Sequence, residues 1–269
     1  MKENQFVISG QREVAPGSYL LTLDGDTSAI AGSGQFVQLA LPGKYLRRPI
    51  SVCDYAPGRL TLLYKVVGDG TDRLSRMKAG ESLDVLTGLG RGFQTGACRQ
   101  KALLVGGGMG VAPLYRLAKD LLAEGKQVRV VLGFNKASEI CLEEEFRALG
   151  SLPQRSASLD TEDRPFLDVI ISTADGSRGV KGFVTDAIRA LGAAPSAVPA
   201  AAYDYFYTCG PMVMMKAVCE LCPTDGQASL EERMGCGFGI CYGCTVATQD
   251  GPRRVCADGP VFTKSQLGW

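Results

Sequence analysis

Histidine is absent from all 269 residues. That removes the commonest general base and the commonest metal ligand other than sulfur, so hydrolysis by a histidine triad and mixed Cys/His zinc sites are both excluded. Excess charge of either sign is also missing, with Lys+Arg 29 against Asp+Glu 28 and a net charge of +1. No global field recruits nucleic acid or an anionic membrane, and a partner must be recognised locally. No stretch reaches the roughly 18 uninterrupted apolar residues of a membrane span. The opening MKENQFVISGQREV lacks the apolar core of a signal peptide. The expectation is a cytoplasmic protein with no membrane and no nucleic-acid partner.

What is present is a soluble-protein balance, 45% hydrophobic and 21% charged, in a chain long enough for two domains and a short appendage. The 34 glycines fall in clusters rather than at a regular period, which points to backbone brought close to ligands. Ten cysteines without a secretion signal read as metal ligands or reduced core thiols rather than a disulfide framework.

Residues 1–97 carry short alternating runs broken by Gly and Pro, among them SYLLTLDG, QFVQLALPG, ISVCDY and RLTLLYKVVG. They predict an antiparallel β-barrel or sandwich. From Lys101 the pattern changes to ALLVGGG, a helical PLYRLAKDLLAEGK and a second apolar run QVRVVLGF, which is a βαβ unit. Further strands are expected at FLDVIIS and DYFYTCG, and helices at LEEEFRALG, VTDAIRALG and PMVMMKAVCEL. The turn-rich PTDGQAS marks a boundary. The predicted class is therefore multidomain β plus α/β: a β-barrel over 1–97, a parallel-sheet nucleotide-binding domain over 98–224 and a small cysteine segment over 225–269.

In that last segment Cys236, Cys241, Cys244 and Cys256 are spaced C-x4-C-x2-C-x11-C, and the first three match the plant-type ferredoxin spacing for a [2Fe-2S] centre. Glycines 235, 237, 239 and 243 suit a loop that wraps a cluster and turns backbone N–H groups toward its sulfurs. The fourth spacing is shorter than in plant-type ferredoxins, which argues against that fold but leaves a four-thiolate site. A four-cysteine zinc knuckle is the alternative, although such sites usually show two C-x2-C pairs. Cys219 and Cys222, at i and i+3 of a predicted helix, read as core.

In the β region YLRRPIS pairs Arg48 with a hydroxyl at Ser51, which suits a ligand carrying phosphate and a planar ring; a surface arginine at a strand end is the plainer reading. Gly70 and Thr71 in KVVGDGT supply N–H groups and a hydroxyl for a pyrophosphate. Two half-sites on one barrel point to one dinucleotide. In the α/β region Gly106, Gly107, Gly108 and Gly110 lie between a strand and a helix with Pro113 in its first turn, a phosphate-cradling arrangement without the G-x-G-x-x-G fingerprint. A glycine turn serving chain reversal alone is the competing reading. Cys209, Gly210 and Pro211 end an apolar run where the edge of a parallel sheet faces a ligand, or else form a strand-to-helix turn with a buried thiol.

Arg-Pro-x-Ser on a barrel, a glycine turn opening an α/β domain and a Cys-Gly-Pro turn, in that order, resemble the ferredoxin-NADP reductase superfamily over about residues 1–220. With RMGCGFGICYGC and CADGPVF added, the chain resembles the electron-transfer subunits of B-type dihydroorotate dehydrogenases over nearly its whole length. The resemblance implies FAD contacts at Arg48, Pro49, Ile50 and Ser51, at Leu63, Tyr64 and Lys65, and at Gly70 and Thr71. It implies cluster ligation by the four cysteines, NAD(H) as hydride partner and an FMN-containing catalytic subunit in pyrimidine biosynthesis, two copies of each. No acid–base residue is expected on this chain, in keeping with its lack of histidine. Lys136 suits a 2′-phosphate and Glu139 disfavours it, and the resemblance favours NAD over NADP. Phe238 and Tyr242 are candidates for the partner surface, or for packing over the cluster. The competing functions are a related flavin and iron-sulfur reductase subunit serving a hydrogenase or ferredoxin, and a zinc-stabilised binding module.

Overall fold

The structure, a computed structural model, describes residues 1–150, 166–191 and 203–269. It divides into two compact units, Met1–Phe93 with Leu230–Val261, and Gln94–Ser229 with Phe262–Trp269. The first is built on six antiparallel strands: β1 (Lys2–Ala15), β2 (Ser18–Asp24), β3 (Phe36–Ala40), β4 (Arg48–Ala56), β5 (Arg59–Lys65) and β6 (Ser82–Leu89). They close in the order β1-β2-β5-β4-β3-β6, with β6 pairing back onto β1. Closure leaves no unpaired edge. Alternate residues on each strand point inward. Phe6 and Ile8, Leu21 and Leu23, Val37 and Leu39, Leu60 and Leu62, and Leu83 and Val85 therefore form one buried core. Tyr64 extends it, stacking on Tyr19 at 5.7 Å and donating its hydroxyl to Gln11 Oε1 at 2.9 Å. A short helix, α1 (Asp69–Arg76), follows β5 and turns only Leu74 deep into the core.

The second unit holds a parallel sheet: β7 (Lys101–Gly107), β8 (Gln127–Phe134), β9 (Leu167–Thr173), β10 (Val180–Lys181), β11 (Tyr205–Cys209) and β12 (Gly226–Ser229). Its helices are α2 (Val111–Ala123), α3 (Glu143–Leu149), α4 (Val184–Ala190) and α5 (Met212–Leu221). The four helices expected from the sequence are all present; the reading VTDAIRALG ends on Gly192, outside the described residues. The central strands are apolar runs buried on both faces, as a sheet with helices on both sides requires. Cys219 and Cys222 lie in the core under α5, and burial pushes both thiols up to about 11.

The C-terminal segment adds a hairpin, β13 (Thr245–Thr248) with β14 (Gly251–Arg254), to the barrel unit. The backbone ties it there through Arg91 N–H, which donates to Gly259 C=O at 2.6 Å, while Leu230 N–H closes the segment on its own Pro260 C=O at 2.9 Å. A last strand, β15 (Val261–Thr263), lies beside β12 and leads into α6 (Lys264–Leu267). The sheet order is thus β10-β9-β8-β7-β11-β12-β15. Residues 226–229, a turn-rich boundary by sequence, are a fully buried strand instead, because the neighbours on both sides satisfy the backbone of a segment with little apolar side chain of its own. Among the described residues, no helix is long and apolar enough to cross a membrane.

One carboxylate fixes the start of the two central strands. Asp204, just before β11, accepts the N–H groups of Arg99, Gln100 and Lys101 at 2.9, 2.8 and 2.8 Å. Burial pushes its acidity down, but these N–H groups and the Cys98 thiol outweigh burial and hold its pKa below the usual carboxylate range. A depressed folded pKa stabilises the protein above the unfolded value of about 3.9, and the stabilisation disappears as pH falls through the folded value. Asp204→Ala is expected to cost about 2 kcal/mol at pH 7 in urea unfolding, since it strands three donors, with the gap to wild type narrowing below about pH 4.

Candidate functional site

The glycine turn and the Cys-Gly-Pro turn, far apart in sequence, meet in the α/β unit. Cys209 at the end of β11 lies in register with Gly106 at the end of β7. Between these two strands the order of the sheet reverses, β8 and β9 running to one side and β12 to the other. In open parallel sheets, this switch point leaves a crevice at the carboxyl ends of the strands. Here the two turns press backbone on backbone. A Cβ on Gly110 would overlap the Cys209 carbonyl, and one on Gly210 would stand 3.0 Å from both the N and the O of Gly107. A Cβ on Gly107 would strike the Met214 sulfur and lie 3.2 Å from Pro211 Cδ. Gly108 has open space beside it but a φ of +53°, so conformation demands glycine there. The thirteen-residue α2 starts at Val111 immediately after, its N-terminal N–H groups facing the same edge. Close approach accounts for Gly107, Gly110 and Gly210, and backbone conformation for Gly108. At the end of the next strand, Glu139 accepts from Asn135 Nδ2 at 3.1 Å, and Lys136 is exposed.

On the barrel, β4 presents Arg48 to the start of α1. A Cβ on Gly70 would collide with the Arg48 guanidinium, whose Nη1 also donates to Leu46 C=O at 2.6 Å. A fixed cation beside the N–H groups that open a helix is a fit for a phosphate. The other residues named from the sequence divide. Pro49 and Ser51 are half-buried on the outer side of β4, while Ile50 packs on the barrel core. Leu63 is buried and Lys65 exposed, but the Tyr64 phenol is committed to the interior. The Thr71 hydroxyl is engaged locally: it accepts from Val67 N–H and Gly68 N–H at 3.0 and 3.3 Å and donates to Gly68 C=O at 3.0 Å, holding the entry to α1.

The four cysteines gather in the barrel unit as two pairs. Cys236 Sγ accepts Ile240 N–H at 3.3 Å and Cys241 N–H at 3.5 Å. Burial pushes the Cys236 thiol up, yet the N–H groups of Cys241, Phe238 and Ile240 more than offset this and favour the thiolate. Cys244 Sγ accepts Cys256 N–H at 3.4 Å, and burial followed by the adjoining Cys244 pushes the Cys256 thiol up. Cys241 is exposed; Cys244 and Cys256 are buried. Among the described residues no three thiol or carboxylate groups converge as one metal ion would need. Two pairs suit a centre of two irons, each taking two thiolates. Gly237 and Gly239 have φ of +79° and +93°, as the turning loop requires, and Cβ atoms on Gly235 and Gly243 would lie 3.3 and 3.6 Å from Cys241 Sγ.

Two side chains that the sequence did not single out complete this region. Arg254 reaches Asp258 through Nε and Nη2 at 3.0 and 3.2 Å, donates from Nη1 to Gly239 C=O at 2.7 Å and covers the Tyr242 ring at 5.0 Å. The Arg-x3-Asp spacing beside the last cysteine was the available signal. The other is Gln38, wholly buried on β3. Phe238 and Tyr242 are 41% and 64% exposed, with Ile240 between them at 72%, so none is fully packed away.

Arg48→Ala is expected to weaken FAD retention about tenfold or more, the usual weight of a charge-assisted hydrogen bond, with iron content unchanged. Flavin fluorescence after dialysis measures it. Gly110→Ala should push the two turns of the α/β unit apart and raise the Kd for NADH at least tenfold while FAD stays bound, as read by calorimetric titration.

Comparison with known proteins bears on all three regions. Residues 231–268 match the family model for the iron-sulfur cluster binding domain of dihydroorotate dehydrogenase B, and residues 104–220 that for the oxidoreductase NAD-binding domain. The dihydroorotate dehydrogenase B (NAD(+)) electron transfer subunit of Fusobacterium nucleatum is 37% identical over 277 residues, covering 99% of each chain. Its counterpart in Bacillus mycoides is 38% identical over 276 residues and 97% of each. A solved NADH-dependent reduced ferredoxin-NADP oxidoreductase, described for flavin-based electron bifurcation, superposes with a TM-score of 0.81 at 29% identity, over 98% of this chain and 90% of its own. Phthalate dioxygenase reductase, at 17% identity and a TM-score of 0.58 over 81% of this chain and 63% of its own, shares the fold. With such identity along nearly its entire length, the chain belongs to the family of dihydroorotate dehydrogenase B electron transfer subunits.

Proposed function

We propose that this chain carries electrons between NAD(H) and an FMN-containing dihydroorotate dehydrogenase catalytic subunit in the cytoplasm, in an assembly of two copies of each. Its own cofactors are FAD, an iron-sulfur cluster and NAD. The observation that carries the reading is the arrangement of Cys236 with Cys241 and Cys244 with Cys256, two thiol pairs receiving backbone N–H groups. These four are the proposed ligands of a [2Fe-2S] cluster. Arg48, Gly70 and the start of α1 hold the FAD phosphates, with Pro49, Ile50, Ser51, Leu63, Lys65 and the backbone at Tyr64 and Thr71 along the rest of the flavin. Gly106, Gly107, Gly108, Gly110, Cys209, Gly210 and Pro211 hold the nicotinamide nucleotide. Glu139 on the neighbouring strand end opposes a 2′-phosphate, in favour of NAD over NADP.

FAD supplies the step between hydride and single electrons, since a flavin takes up two electrons together and releases them singly to a one-electron centre. The chain's residues bind, orient and shield. Arg48 places charge against phosphate. The glycines of the α/β unit let backbone approach the nucleotide. The thiol-bearing loop keeps Cys244 and Cys256 buried and leaves Cys241 exposed beside Phe238, Ile240 and Tyr242. An exposed apolar rim around an electron exit is the feature expected of a surface that docks a partner. No histidine stands anywhere in the chain to take a proton from a carbon acid.

The purified protein is expected to contain about one FAD, two irons and two sulfides per chain. Cys241→Ser should abolish or cripple the cluster and leave FAD bound. Alone, the wild-type chain should oxidise NADH with an artificial one-electron acceptor but not reduce NAD with dihydroorotate; mixing with the FMN subunit should create that activity. Zinc in place of iron, full activity from this chain alone, or none from the mixture with all cofactors present would overturn the reading.

A further inference from the structure

The cluster loop rests on a polar side chain whose hydrogen bonds are unmade. Gln38 sits in the middle of β3, where Val37 and Leu39 on either side pack into the barrel core. Period-two alternation therefore turns Gln38 to the outer face of the barrel. That face is covered: the residue is 0% exposed. It is covered by the cysteine segment, since a Cβ on Gly237, the residue after Cys236, would overlap the Gln38 carboxamide. Yet neither Nε2 nor Oε1 has a hydrogen-bond partner among the described residues. Buried carboxamides nearly always find partners, because an unmatched one gives up its hydration for nothing. A leucine or methionine would fill the same space without that penalty. On the adjacent strand Gln38 pairs with Pro49, within the Arg-Pro-x-Ser string.

We infer that the Gln38 carboxamide donates a hydrogen bond to a sulfur of the cluster held by Cys236 and its neighbours, and so raises the reduction potential of the cluster. This rests on the assignment of the four cysteines as cluster ligands. Reduction adds an electron to the sulfur-rich centre, and a donor aimed at sulfur stabilises the more negative state. The loop's own N–H donors, from Ile240 and Cys241 to Cys236 and from Cys256 to Cys244, act from within the cysteine segment. Gln38 acts from the barrel wall, on a strand whose backbone is fixed by pairing on both sides. Gly237 is needed for this approach, both for its φ of +79° and for the absence of a side chain over the carboxamide.

The test is an anaerobic redox titration of the full chain with its cofactors, following the cluster by electron paramagnetic resonance and the flavin by absorbance, for wild type, Gln38→Met and Gln38→Leu. Both substitutions keep the volume of the wall, so that one variant serves if the other folds poorly. The expected result is full iron, sulfide and FAD content, an unchanged flavin potential and a cluster about tenfold harder to reduce, which is about 59 mV for one electron. A cluster potential equal to wild type in a fully loaded variant overturns the inference alone. So does a shift confined to the flavin, which would assign the carboxamide to that ring. Absence of iron and sulfide from the wild-type protein overturns the ligand assignment and this inference together.

Discussion

Sulfur held by backbone N–H groups is the constraint around which the C-terminal segment is built. A loop that turns its amides toward thiolates cannot spend them on a helix or a strand, so the chain from Gly235 to Cys244 has no regular structure of its own to keep it in place. Stiffness comes from outside. The β13–β14 hairpin sets Thr245 opposite Arg254, so the chain leaving Cys244 and the chain approaching Cys256 run side by side. Val255 N–H reaches Cys244 C=O at 3.0 Å, and Cys256 N–H then falls on Cys244 Sγ. Arg254 braces the remaining side, tied to Asp258 and to Gly239 C=O. Its guanidinium is fixed at both ends and is planar, so a lysine could not span the same contacts.

The α/β unit meets a related demand by different means. There two turns touch through backbone, which is possible only if the strands beneath them cannot slide. β7 and β11 are adjacent and parallel, and are pinned at their starts by Asp204 and at their ends by the contact between Gly110 and the Cys209 carbonyl. A register slip of one residue would break the three hydrogen bonds to Asp204 and would also drive side chains into the space the glycines keep open. Stability and the geometry of the two turns are therefore carried by the same pair of strands, and that edge is as rigid as the sheet.

Much of this was legible from sequence because each signal was local. The runs RLTLLYK and QVRVVLGF carry their periodicity in a few consecutive residues, and the four-cysteine spacing is a property of one segment. What escaped depends on partners distant in the chain. α1 is so polar that only its packing of Leu74 reveals a helix, and GQAS becomes a strand only because β11 and β15 flank it. Gln38 reads as an ordinary polar residue between Val37 and Leu39, until Gly237, about two hundred positions later, covers it. The hydroxyl of Thr71 shows the same dependence on partners that sequence spacing does not reveal. Its place after a glycine fits a phosphate ligand, but Val67 and Gly68 lie close enough to claim it first, which sequence spacing alone does not decide.

The absence of histidine acquires a positive meaning once these sites are laid out. A guanidinium is a permanent charge, the amides of the cluster loop and of the glycine turn carry fixed dipoles, and thiols that ligated iron would no longer titrate. An electron conduit gains from this. A side chain that changed protonation near neutral pH beside a redox centre would tie each electron to a proton and make the potential drift with pH. Permanent charges and backbone dipoles also cost little reorganisation when an electron arrives, because they are already oriented. Proton removal from carbon can then be left to another subunit. The chain's own task becomes positional: to keep phosphate, nicotinamide and sulfur against groups that do not themselves react.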